Sequence, residues 1–151
     1  MGDNEHRREP SRTAHCASGR LGLVASVLRI WAGEDGESHL EEKELEFKES
    51  DFLPSAPSML LTPQENASSY FIARASAGLE LDWHAAPVRE LAVYLTGQGE
   101  IEASDGTIRP LDPGTILLAE DTTGKGHKTR VTGTEDVLVV IVTLPDDPAS
   151  S

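Results

Sequence analysis

From residue 24 onward the apolar residues come in short runs separated by Gly, Asp, Pro and Thr clusters, and no long stretch keeps a 3.6-residue period. The pattern predicts strands. Val24 to Trp31 reads as the first, and Gly33-Glu34-Asp35-Gly36 as a turn into His39 to Phe47, so the two make an N-terminal hairpin. The Glu-Glu-Lys-Glu run in the second segment also suits a helix, but its Gly-bounded setting favours an exposed strand. Residues 50–67 carry Pro54, Pro57 and Pro63 and read as an extended surface connection. Tyr70 to Ala77 alternates, with Phe71, Ala73 and Ala75 on one face and Tyr70, Ile72 and Arg74 on the other. Six more short strands follow at turn-like spacing: Arg89 to Leu95, Gly99 to Ala103, Thr107 to Leu111, Thr115 to Ala119, His127 to Thr132 and Val137 to Leu144. Ser104-Asp105-Gly106 is a tight-turn signal between two of them, because Gly takes a positive φ at little steric cost. Nothing supplies the crossover helices of an α/β fold, so the expectation is an all-β sandwich or barrel.

Length and charge narrow this further. A chain of 151 residues, 38% of them hydrophobic, can bury one core. The expected organisation is a disordered tail over 1–20, strands of a hairpin over 21–49, the Pro-containing connection over 50–67, the barrel core over 68–146 and a short tail over 147–151. With 26 acidic and 13 basic residues the net charge is −13, which makes a nucleic acid partner electrostatically expensive. The first 30 residues hold five Arg and three acids, so the negative charge lies almost wholly beyond them. Within it, residues 1–20 are too poor in large apolar residues to offset the entropy of ordering. Asp3, Glu5 and Glu9 argue against a transit peptide, and no apolar run suits a secretory signal. The apolar stretch Leu21 to Ile30 is broken by Arg29 and is far shorter than the roughly 20 residues of a membrane span. Cys16, the single cysteine, rules out an internal disulfide and a thiolate cluster. These features predict a soluble, cytoplasmic protein with no membrane partner.

The chemistry concentrates in two spaced motifs. From Gly78 the chain runs five residues to His84, one more to Ala86, three more to Glu90 and six more to Gly97. Further on come Asp112-Pro113-Gly114, the apolar Thr115 to Ala119, and Gly124-Lys125-Gly126-His127. These resemble the two motifs of the cupin superfamily: Gly, five residues, His-x-His, three or four residues, Glu, six residues, Gly; and Gly, five residues, Pro-x-Gly, two residues, His. Two departures stand out. Ala86 replaces the second histidine, and Glu120-Asp121-Thr122-Thr123 makes a connection two residues longer than the usual Pro-x. The resemblance covers roughly residues 65 to 145 and extends to small single-domain, RmlC-like cupins. It implies an antiparallel double-stranded β-helix, the cupin jelly-roll barrel, here with the hairpin as an N-terminal extension. It also implies a site at His84, Glu90 and His127.

In a barrel alternate side chains point inward, so His84 and Ala86 share the lumen face, and Glu90 and Tyr94 rejoin it once Pro87 resets the register. Two imidazoles and a carboxylate make a three-ligand set with open positions, suited to one divalent Fe, Mn, Ni or Zn ion. Related metal centres generally use three His and one Glu, and Ala86 removes a donor. The alternatives are an acid–base pair working without metal, and a satisfied polar network or docking point for a ligand that is not transformed. Trp83 is read either as a lid or as plain core. Arg89, Lys125 and Arg130 either orient an acidic or phenolic substrate or pair with nearby carboxylates. Glu120 and Asp121 read as a solvated turn; His6, His15 and His39 as surface residues; Gly114, Gly124 and Gly126 as turn geometry.

The function expected from the resemblance is a small-molecule enzyme acting on a small organic acid or oxygenated ring. The fold hosts oxidoreductases, isomerases, lyases and cyclases alike, so the reaction class does not follow from it. A non-catalytic binding or sensing barrel is the first alternative. The second is a structural protein whose exposed first strand extends a partner's sheet. A homodimer is expected under each.

Overall fold

Strands with two differently clothed faces must bury one of them, and here two sheets do so against each other. The computed structural model describes residues 25–146; the expected tails at 1–20 and 147–151 lie outside the described residues. The strands are β1 (Ser26–Ala32), β2 (Ser38–Glu44), β3 (Lys48–Ser50), β4 (Met59–Leu61), β5 (Ser69–Ala75) and β6 (Glu80–His84). They continue with β7 (Glu90–Thr96), β8 (Gly99–Ala103), β9 (Ile108–Leu111), β10 (Ile116–Glu120), β11 (His127–Val131) and β12 (Val137–Thr143). A six-stranded sheet has the order β2-β1-β10-β7-β12-β5, and a four-stranded sheet the order β6-β11-β8-β9. The fold is an all-β jelly-roll barrel. Among the described residues there is no helix long and apolar enough to cross a membrane.

Period-two alternation sorts the core. Leu28 and Ile30 of β1, Leu117 and Ala119 of β10, Ala92 of β7 and Val139 of β12 point from the large sheet into one buried cluster. Ile101, Ala103 and Leu111 meet them from the small sheet, with Ala86 among them. The intervening residues Val27, Leu118, Leu91, Ile116 and Val142 face the other way and form a second cluster on the outside of the large sheet. β5 follows its alternation only in part: Ala73 packs against the inner cluster and Tyr70 and Ile72 are largely exposed, but Phe71, expected on the inner face, is half exposed on this edge strand.

Two expectations change. The connection over 50–67 contains structure of its own, since β3 and β4 pair antiparallel, Lys48 opposite Leu61, and strap the outer side of the large sheet. Two three-residue strands are too short for alternation to show in sequence. The hairpin is confirmed as a β1–β2 pair with the predicted turn, but β1 is not an exposed edge. It lies parallel to β10, Leu28 opposite Leu117, and is the sole parallel partner among the described strands. That placement removes β1 as a template for a partner's sheet and leaves β2 and β5 as the edges of the large sheet among the described residues.

Candidate functional site

The site is made where β6 and β11 cross. Antiparallel pairing puts His127 directly opposite His84, and a bulge between His127 and Thr129 takes up the extra residue on β6. The approach is very close because Gly126, at φ +73°, carries no side chain: a Cβ there would overlap the carbonyl oxygen of His84. Turn geometry alone, the reading from sequence, is therefore incomplete. The two imidazoles sit with ring centroids 4.5 Å apart at 57°.

Hydrogen bonds define both rings. His127, only 6% exposed, donates from Nδ1 to Oδ2 of Asp121 at 2.6 Å, and Asp121 is fully buried. His84 donates from Nδ1 to the carbonyl of Asp82 at 2.7 Å, since a carbonyl can only accept. With Nδ1–H committed on each ring, the neutral imidazoles both keep their lone pair on Nε2. Asp121 corrects the sequence reading, which made it a solvated turn. No sequence signal marked it beyond an acid six residues before a histidine.

The longer 120–126 connection is held by the N-terminal hairpin. Lys125 N–H donates to the carbonyl of Gly36 at 3.0 Å, and Gly124 packs on the same turn, where a Cβ would lie 2.6 Å from that oxygen. Ser38 Oγ, fully buried, donates to the carbonyl of Gly126 at 2.6 Å and accepts from the N–H of Ser104 at 2.8 Å. Lys125 pairs with Glu37. Ala86 N–H closes the other side on the carbonyl of Asp121 at 3.0 Å. The extension thus supports the loop that aims His127. His39, expected at the surface without ligand-like neighbours, is partly buried between Asp105 at 2.9 Å and Asp35 at 3.5 Å.

Glu90 and Tyr94 enter from β7 on the inward register. Burial pushes the Glu90 carboxyl above its ordinary value; the two imidazoles pull it down and Asp121 pushes it up. Burial, with Glu90 adding to it, raises the Tyr94 phenol well above its usual range. A carboxyl whose folded value exceeds its unfolded value stabilises the fold below about 4.5, and the contribution is lost as pH rises through the folded value. Glu90→Gln is therefore expected to remove this falling limb and to be at least as stable as the parent at neutral pH, as urea midpoints across mildly acidic to neutral pH will show.

The other expected substrate contacts lie elsewhere. Trp83 is 43% exposed on the outer face of the small sheet, with Lys128 Nζ 5.1 Å from its ring centroid, so it is neither lid nor core. Arg130 shares that outer face and is held by Glu100 and Glu102 at 2.6 and 3.2 Å. Arg89 bonds Glu120 at 2.9 Å and Glu65 at 3.4 Å, and Glu120 also holds Arg29 at 2.6 Å. In a chain with twice as many acids as bases, these two arginines are taken up by carboxylates.

The metal expectation meets the donor set directly. Among the described residues no group of three His, Cys, Asp or Glu side chains is arranged to hold a metal ion. His84 and His127 come together, the third imidazole is Ala86 buried at 2% exposure, and Glu90 does not complete the set.

Fold and site together define a small all-β barrel with a buried His/Asp/Glu group between its sheets. No family model and no curated protein matches the chain. Among solved structures it is similar to an RmlC-like cupin protein from Desulfovibrio desulfuricans, with 30% identity over 63% of this chain and 96% of that one and a TM-score of 0.35. It is also similar to a Cupin 2 conserved barrel domain protein from Salinispora arenicola, at 18% identity over 70% and 77% with a TM-score of 0.43. A cupin domain from Bordetella pertussis matches at 14% identity over 68% and 96%, also with a TM-score of 0.43. The chain belongs to the cupin superfamily.

Proposed function

We propose that this cupin takes a small organic acid or an oxygenated ring into the barrel and moves a proton on it without a resident metal. The observation that carries the reading is the buried Asp121–His127 hydrogen bond, which leaves Nε2 of His127 as a base and places a carboxylate where an imidazolium would form. Glu90, kept protonated further up the pH scale by burial, is the matching acid. In the step, a C–H or O–H proton of the ligand passes to His127 Nε2, and Glu90 gives its proton to the oxygen on which charge develops. The new imidazolium favours the Glu90 carboxylate, and the cycle closes when His127 gives its proton to the product or solvent and Glu90 takes one back from the product oxygen or solvent. This supports isomerisation, cyclisation or elimination chemistry.

Elemental analysis of protein purified without chelator or nickel affinity tests the metal-free form, with metal expected far below one ion per chain. Stoichiometric Fe, Mn, Ni or Zn that disappears in His84→Ala and His127→Ala would overturn it. On the same preparation, small carboxylic acids are screened for thermal stabilisation; a ligand at a hundred times its Kd adds about 2.7 kcal/mol. Conversion of such a ligand that is lost in His127→Gln supports catalysis, whereas binding without conversion makes the barrel a sensing or storage module. The protein is expected to sediment as a homodimer, a proposal supported by the free β5 edge with its exposed Tyr70, Phe71 and Ile72.

A further inference from the structure

Among the described residues, the outward cluster of the large sheet is only partly covered. Val27, Leu91, Leu118, Val142 and Leu144 form an apolar floor, and Leu45, Phe52 and Leu61 of the 45–67 strap form a roof. Between them lies a slot of about 930 Å³. That is near the top of the roughly 300–1,000 Å³ range of small-molecule sites. It is separate from the His127 group, because floor residues alternate with those that face the barrel interior.

Its walls select the occupant. Floor and roof both come from this chain, so the face of a second copy cannot seat there as it would on an open sheet, whereas a slim chain can slide between them. The polar lining is mostly uncharged, from Thr62, Gln64 and Asn66, and the Glu65 carboxylate is already held by Arg89. Lys43 is different. It stands opposite Val27 on β2, lines the slot, is exposed, and makes no ion pair with any described residue. On a chain of charge −13, with carboxylates engaging Arg29, Arg89, Arg130 and Lys125, a cation left beside an apolar slot is complementary to an anionic head carrying an apolar tail.

We propose that this slot binds a free single-chain carboxylate amphiphile, its hydrocarbon tail between sheet and strap and its carboxylate at Lys43. The site is independent of the proton-transfer reading.

Calorimetric titration of the full chain with dodecanoate tests it, with methyl NMR to locate the ligand. The expected result is one dodecanoate per chain, with shifts at the Val27, Leu118 and Val142 methyls and none at Ile101. Lys43→Gln is expected to weaken binding by about 3- to 5-fold, the worth of one partly exposed ion pair. Dodecanol, lacking the charge, should bind the parent and Lys43→Gln equally. Leu61→Trp, which fills the slot from the exposed side of the strap, should abolish binding while the chain stays folded by circular dichroism. No saturable binding to the parent, shifts confined to interior methyls, or unchanged affinity in both variants would each overturn the proposal.

Discussion

Gly126→Ala is expected to lose the site and much of the protein's stability at once. Two costs add. A non-glycine residue in the left-handed region costs about 1–2 kcal/mol, and at φ +73° Gly126 lies in it. The new methyl would also overlap the His84 carbonyl, a backbone atom that cannot swing aside as a side chain tip can. Relief requires β6 to move from β11, which separates the two imidazoles and breaks the pairing of His127 with His84. The combined loss should exceed about 3 kcal/mol, in the range reserved for core and backbone disruptions. Gly106→Ala is the matched control: it has φ +93° but nothing within 4 Å of an added Cβ, so it carries only the conformational cost. Urea unfolding of the two variants separates the terms. A Gly126→Ala loss no larger than that of Gly106→Ala would mean that the close crossing of β6 and β11 does not exist in solution.

The second large effect is expected at Asp121. Asp121→Ala leaves the Nδ1–H of His127 buried without an acceptor, at a cost of about 1–3 kcal/mol. Asp121→Asn keeps an acceptor oxygen of the same shape, so its stability cost should be clearly smaller, but it removes the charge that would hold an imidazolium. Nitrogen NMR of the His127 ring distinguishes the roles. The parent should show the Nδ1–H tautomer alone, and Asp121→Ala a mixture of tautomers. If a converted ligand is found, Asp121→Asn should slow turnover by about 10²- to 10⁴-fold, the usual worth of a positioned base, with binding changed much less. A parent ring already split between tautomers would remove the base assigned to His127.

Several features were legible because they depend on local pattern. Alternation in Tyr70 to Ala77 sorted β5 into inner Ala73 and outer Tyr70 and Ile72, though Phe71 at this sheet edge stays half exposed, and Ser104-Asp105-Gly106 does turn β8 into β9. The spacing from Gly78 to Gly97 and from Gly114 to His127 identified residues that the fold does bring together at His84 and His127. β3 and β4 were missed because three residues carry no readable period. Arg89 and Arg130 were weighed between substrate and carboxylate, and their partners Glu120 and Glu100 lie 31 and 30 residues away, a distance no local pattern spans.

By itself, then, the amino-acid order determined the strand class, the turns and the two histidines worth watching, since each follows from periodicity, chain stiffness or spacing along one strand. Only tertiary structure decided that Asp121 is buried on His127, that the hairpin braces the 120–126 loop, and that Lys43 stands beside an apolar slot. Those outcomes depend on which backbones approach and which charges are left over after the rest have paired. Both are properties of the packed chain as a whole.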